Sequence, residues 1–210
     1  MLRDLRYSYN NGTLEEANAA ADPIVQFESW MKKALESDLH EPHGMIVSTV
    51  GPDGRPSSRA VLLRDFDQRG FTFFTNYTSR KGREIEHNPF ACINFWWPTL
   101  ERQVRIEGRV SRVEPEVSDA YFASRPRGSQ IGSSASPQSR PIAGREVLEA
   151  RIAELEARYP ETVPRPEHWG GYRLSPDYLE FWQGRPSRLH DRLVYRLQPD
   201  GSWKIERLAP

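Results

Sequence analysis

Between residues 45 and 113 the chain settles into short stretches with a two-residue rhythm or a continuous apolar run, at 45–50, 59–64, 71–75, 90–97 and 103–113. Stretches of that length and pattern read as strands. Gly51-Pro52-Asp53-Gly54 and residues 65–70 supply turn chemistry between them. In the last stretch Val104, Ile106 and Val110 fall on one face, and Gln103, Arg105, Glu107 and Arg109 on the other. That alternation describes an antiparallel sheet with one dry face. Two more strands at 192–197 and 203–208 flank Pro199-Asp200-Gly201. Many short strands without a repeating βαβ rhythm predict a mainly β fold, a small antiparallel barrel with peripheral helices.

A helix is predicted over 22–39, with Asp22 as N-cap, Pro23 in the first helical position, and Ile24, Phe27, Trp30, Met31 and Leu35 at helical spacing. Shorter helices are expected at 79–87, 115–124 and 144–159, the last carrying a stripe of Val147, Leu148, Ile152 and Leu155. Residues 124–141 are rich in Ser, Pro, Gly and Arg, so they read either as a flexible linker or as a loop ordered by a ligand. A chain of 210 residues with 37% hydrophobic content can bury one substantial core or two small ones, and one domain is expected. Its 29 basic and 29 acidic residues cancel, which argues against a general nucleic-acid binder and requires any anion site to be built locally. The single cysteine, Cys92, excludes an intrachain disulfide framework. No apolar run approaches the roughly 20 residues of a membrane span, and Arg3, Asp4 and Arg6 interrupt any signal-peptide core, so the chain reads as soluble and cytoplasmic, with no membrane partner.

Three groups of residues carry candidate chemistry. As a strand, Arg188-Leu189-His190-Asp191-Arg192 would point Arg188, His190 and Arg192 from one face, asking for an anion, a subunit contact or a charge-protected edge. Ser79-Arg80-Lys81 places an N-cap and two cations where a helix start is already electropositive, which suits a phosphate or a solvated basic turn. Arg59 and Arg64 bracket an apolar strand and, an odd number apart, are expected on opposite faces. Phe181-Trp182-Gln183-Gly184 offers a ring for stacking on a planar ligand. His40-Glu41-Pro42-His43 lacks companion ligands, so no metal is expected. Nucleophile-elbow, Walker and dinucleotide motifs are absent. Separate cation clusters and stacking aromatics together suggest a phosphorylated, planar cofactor.

These residues in this order resemble the pyridoxine 5′-phosphate oxidase family. The resemblance rests on residues 59–63, Phe74-Thr75-Asn76 with Ser79-Arg80-Lys81, Leu100-Glu101-Arg102-Gln103, Ser124-Arg125-Pro126-Arg127 with Ser129-Gln130-Ile131-Gly132, and 181–184 with 188–192. It implies an FMN-binding antiparallel split barrel spanning residues 21–210, preceded by a segment, 1–20, that covers the active site. It also implies a homodimer with FMN at the subunit interface. Arg59, Arg80, Lys81, Gln138 and Ser139 would hold the FMN phosphate and ribityl end, with Ala60, Val61, Leu62, Leu63 and Arg64 alongside. Phe74, Thr75, Gln103, Trp182 and Arg192 would border the flavin ring. Arg64, Tyr121, Arg125 and Ser129 would clamp the substrate phosphate, and Arg6 and Tyr9 would cover the substrate. Arg188, Leu189 and His190 would meet its pyridine ring, Arg188 and His190 as the catalytic pair. Arg64 stands where the family usually carries Lys, and Phe74 replaces a frequent Tyr.

The implied reaction passes hydride from C4′ of pyridoxine or pyridoxamine 5′-phosphate to the flavin. Oxygen then reoxidises the flavin, giving pyridoxal 5′-phosphate and hydrogen peroxide. One alternative is a split-barrel flavoprotein acting on another substrate, or binding FMN without turnover. A second is an RNA-binding barrel, which the neutral net charge disfavours.

Overall fold

A computed structural model describes Asp4 and residues 7–210. Helix α1 (Pro23–Leu35) starts where expected: Asp22 Oδ1 accepts from the backbone N–H of Ile24 at 2.7 Å and of Val25 at 3.3 Å. It stops four residues short of the predicted end, where the Ser37 hydroxyl takes the Ala34 carbonyl at 2.7 Å and competes with the helical ladder. Its apolar face buries Phe27 completely, edge-on to Phe71 at 4.9 Å and Phe66 at 5.0 Å. A core phenylalanine of this kind contributes on the order of 3–5 kcal/mol.

The sheet comprises β1 (Gly44–Val50), β2 (Pro56–Leu62), β3 (Asp65–Asp67), β4 (Gly70–Asn76), β5 (Phe90–Trp97), β6 (Arg102–Arg112), β7 (Trp169–Gln183), β8 (Asp191–Leu197) and β9 (Trp203–Arg207). All pairings are antiparallel, in the order β2-β1-β5-β6-β7-β4-β3, with β9 on β8 and β8 on β7. Strand β7 is where the barrel splits. Its residues 172–183 lie along β6, while on its other edge residues 169–174 pair with β4 and 178–183 pair with β8. The switch occurs at Pro176, which has no N–H to continue a ladder, and β7 bulges beside it, with Asp177 the extra residue opposite the Glu107–Gly108 step of β6. A Cβ at Gly108 would stand 2.0 Å from the Ser175 carbonyl oxygen, so that close approach requires glycine.

Helices α2 (Arg80–His87), α3 (Pro115–Ser124), α4 (Arg127–Ala135) and α5 (Arg145–Arg158) lie outside the barrel. Helix α2 packs Ile85 into the barrel core, and a second small core of Phe122, Ile131, Val163 and Trp169 fastens the other three, with Ile152 and Leu155 of the predicted stripe packed against it. Three expectations change. Residues 127–135, read as linker or loop, form α4 because Ile131 and Ala135 bury; the Ser133 and Ser134 hydroxyls are absorbed by the Ser129 and Gln130 carbonyls one turn back. The strand expected from Arg188 begins only at Asp191; Pro186 opens a tight turn in which Ser187 and Arg188 take left-handed φ of 57° and 62°. Strand β2 ends at Leu62, so the alternation rule does not reach Arg64.

Candidate active site

A cavity of about 850 Å³ opens between β2, β4 and the helices α2 to α4, a size suited to a small-molecule ligand. The Ser79 hydroxyl caps α2, accepting from the Gly82 N–H at 3.3 Å, and so directs the free N–H groups and the side chains of Arg80 and Lys81 toward this space. Lys81 is only 7% exposed and donates from Nζ to Gln138 Oε1 at 2.8 Å, Thr75 Oγ1 at 3.0 Å and Ser79 Oγ at 3.2 Å. Burial, reinforced by the Arg59 charge, pushes its pKa down from 10.5 to about 8. On β2, Arg59 donates from Nη1 to the Val47 carbonyl at 3.1 Å and to Thr49 Oγ1 at 2.6 Å.

A second cationic set lines the same cavity. Arg64 sits 5.9 Å from the Tyr121 ring centre, and Arg125 lies 4.7 Å from that of Trp169 and donates to Ser133 Oγ at 2.6 Å. The Phe74, Tyr121 and Trp169 rings stack, Phe74 on Tyr121 at 3.9 Å and on Trp169 at 5.6 Å. Burial lowers the Arg125 pKa from its ordinary value, and the neighbouring Arg64 charge adds to the effect. Exposed Arg64 and half-buried Arg125 share a wall of the cavity with Ser129, a donor set suited to an anion. Arg59 and Arg64 thus face one space rather than opposite faces, because the chain leaves the strand before Arg64 and bonds its N–H to the Thr72 carbonyl at 2.9 Å.

Fourteen of the site residues read from the sequence line this cavity: Arg59, Ala60, Val61, Leu62 and Arg64 on or after β2; Phe74, Thr75, Arg80 and Lys81 around α2; and Tyr121, Arg125, Ser129, Gln138 and Ser139 across α3 and α4. Leu63 does not; its side chain is 6% exposed and belongs to the barrel core. The remaining residues gather elsewhere. Register places Trp96, Gln103, Trp182 and Arg192 in one row across β5, β6, β7 and β8. The His190 ring lies 4.6 Å from Trp182, and Tyr9 meets both rings at 5.7 and 5.6 Å. Arg185 N–H donates to His190 Nδ1 at 3.1 Å, leaving Nε2 to carry the proton of the neutral ring. Burial and the Arg188 charge lower the His190 pKa from 6.5. Arg188 and Leu189 are exposed beside this group, and Arg6 lies outside the described residues.

Arg192 does not stand uncompensated. Glu180 meets its Nε at 2.8 Å and Nη2 at 3.1 Å, and Arg105 approaches the same carboxylate at 2.9 Å. Hence the row of like charges argued from the sequence is interrupted by an acidic partner one strand away, which spacing within 188–192 could not reveal. Sequence reasoning also missed Glu84, whose position one helical turn after Arg80 was the available signal.

A barrel that divides at one long strand, with a phosphate-ready helix start and a stacked aromatic wall beside it, belongs to the antiparallel split barrels. An FMN-binding protein of Nostoc punctiforme, described as pyridoxamine 5′-phosphate oxidase-related, has this fold at 18% identity and a TM-score of 0.72, covering 90% of this chain and 98% of its own. Residues 31–159 match the family model described as pyridoxamine 5′-phosphate oxidase, and 169–210 that of the pyridoxine 5′-phosphate oxidase C-terminal dimerisation region. The chain belongs to the pyridoxamine 5′-phosphate oxidase family. It is 58% identical to the pyridoxine/pyridoxamine 5′-phosphate oxidases of Herminiimonas arsenicoxydans and Cupriavidus pinatubonensis, covering all of this chain and 99% of each relative. PhzG from Burkholderia lata 383, solved with tetrahydrophenazine-1-carboxylic acid, matches at 34% identity and a TM-score of 0.90, covering 97% of this chain and all of that one.

Proposed function

We propose that this protein binds FMN and oxidises pyridoxine 5′-phosphate or pyridoxamine 5′-phosphate to pyridoxal 5′-phosphate, with oxygen as acceptor and hydrogen peroxide released. The observation that carries the reading is that one cavity holds two separate phosphate-ready sets, Arg59 with Arg80 and Lys81, and Arg64 with Arg125, Tyr121 and Ser129. A phosphorylated cofactor and a phosphorylated substrate would occupy them together. The residues fit FMN: a desolvated ammonium and a capped helix start suit its phosphate, and Gln138 and Ser139 supply polar groups beside them.

Bound FMN supplies a two-electron acceptor that oxygen can regenerate. The protein's part is binding and orientation. Arg64 and Arg125 would anchor the substrate phosphate, fixing the ring at one end. Neutral His190, held by the Arg185 N–H, and the permanent cation Arg188 would position the reacting C4′ group and stabilise charge on its oxygen or nitrogen. Because the Trp182, His190 and Arg192 group does not line the cavity, the complete site would form in a homodimer, one copy presenting the cavity and the other this group. The exposed Ile46 and Trp96 on the sheet's outer face, and the match of 169–210 to a dimerisation region, support that assembly. Residues 1–20 would cover the substrate: Asn11 N–H is held by Glu101 at 2.8 Å and Leu14 N–H by Asp191 at 3.0 Å, which brings Tyr9 against His190. The absence of a helix long and apolar enough to cross a membrane among the described residues is compatible with a cytoplasmic location.

The likeness to PhzG favours a second reading, a flavoprotein of this fold acting on a non-phosphorylated tricyclic acid. The Arg64, Tyr121, Arg125 and Ser129 set weighs against it. Protein loaded with FMN and given pyridoxine 5′-phosphate in air should form pyridoxal 5′-phosphate and hydrogen peroxide in equal amounts. Tight flavin binding without either product would refute the oxidase reading and leave a flavoprotein with another substrate or without turnover.

A further inference from the structure

Glu84 is 4% exposed and stands behind the cations of the Arg59, Arg80 and Lys81 set. Its Oε1 accepts from Arg80 Nε at 2.7 Å, and its Oε2 accepts from Ser57 Oγ at 2.6 Å, from Thr49 Oγ1 and from Arg59 Nη2 at 3.4 Å. Arg59 in turn donates to both hydroxyls, so side chains from β1, β2 and α2 close one hydrogen-bonded lattice around a single carboxylate. Burial alone would push this carboxyl up, but the Ser57 and Thr49 hydroxyls and the Arg80 guanidinium outweigh it and hold the pKa down to about 2. A permanent negative charge beside a phosphate subsite opposes the ligand it helps to receive. Geometry is what such a group contributes: without it Arg59 and Arg80, two like charges on neighbouring elements, have no shared anchor.

We propose that Glu84 is the positioning residue of the flavin-phosphate subsite, aiming Arg59 and Arg80 and leaving three cations against one carboxylate, a net charge of two that matches a phosphate dianion. The proposal rests on the FMN reading of the cavity. Its test is the affinity of flavin-stripped full-length protein for FMN and for riboflavin, which lacks the phosphate, followed by quenching of flavin fluorescence. Glu84→Ala should weaken FMN about tenfold, the scale of a lost charged hydrogen-bond set, and leave riboflavin unchanged. Glu84→Asp keeps the charge but withdraws the carboxylate by one methylene, and should weaken FMN about threefold on the same ground. If circular dichroism shows Glu84→Ala unfolded, Glu84→Asp decides. Equal or tighter FMN binding by Glu84→Ala would mean that the charge acts only by repulsion. That result, wild-type affinity in Glu84→Asp, or a parallel loss of both flavins would overturn the proposal. Wild-type protein without preference for FMN over riboflavin overturns the flavin reading and this inference with it, an outcome visible before any variant is measured.

Discussion

Raising the pH should release FMN through Lys81. With its pKa at about 8 in the flavin-free protein, the ammonium is mostly protonated at pH 7 and mostly neutral at pH 9.5. A phosphate dianion at Nζ favours the charged form, restoring the pKa to at least the ordinary 10.5 in the complex. Between those two values the free protein must take up a proton to bind, so affinity falls toward tenfold per pH unit. From pH 7 to pH 9.5 the loss is about thirtyfold. Arginine does not titrate in this range and the phosphate stays dianionic, so Lys81 alone sets the slope. The assay is the ratio of FMN to riboflavin affinity at constant ionic strength, in which any ionisation of the shared ring cancels. Lys81→Met should bind FMN weakly with a flat profile. Stability of the flavin-free protein moves the other way. Between pH 8 and 10.5 the unfolded chain holds the proton that the folded chain has released, so the contribution of this group rises across the window, by on the order of 3 kcal/mol in all. An FMN-to-riboflavin ratio unchanged to pH 9.5 would refute the placement of Lys81 at the phosphate.

Two further outcomes follow from other parts of the molecule. Arg188→Ala should lower turnover far more than FMN retention, because Arg188 stands with the Trp182 and His190 group rather than in the cavity; equal loss of both would refute that division. Gly70→Ala should cost about 2–4 kcal/mol in denaturant unfolding, since the residue has φ of 131° and a Cβ would meet the Leu174 carbonyl oxygen at 2.0 Å. An unchanged unfolding midpoint would show that the β3–β4 hairpin can shift.

Local physics carried the sequence reading a long way. Asp22 and Pro23 start α1 because capping and a preset φ act within a few residues. Residues 90–97 are legible as a strand because a short apolar run fits a packed sheet, and β5 buries alternate side chains of it. It faltered where neighbours override local preference. Strand β7 crosses Gly170, Gly171 and Pro176, residues that discourage a strand, and persists because β4 pairs with 169–174 and β6 with 172–183. Helix α4 forms from glycines and serines because Ile131 has a core to enter and Ala135 is buried one turn on.

From the residues alone came the β-rich class, the helix starts and the cationic clusters, since each depends on groups close together along the chain. Which clusters share a space was decided by the tertiary structure. Arg59 and Arg64 converge because β2 ends between them, Arg192 is neutralised because register brings Glu180 beside it, and Glu84 acquires its role only when Thr49 and Ser57 close over it from β1 and β2. Charge compensation and cavity formation act through space, and distance through space is set by strand register and barrel closure rather than by order along the chain.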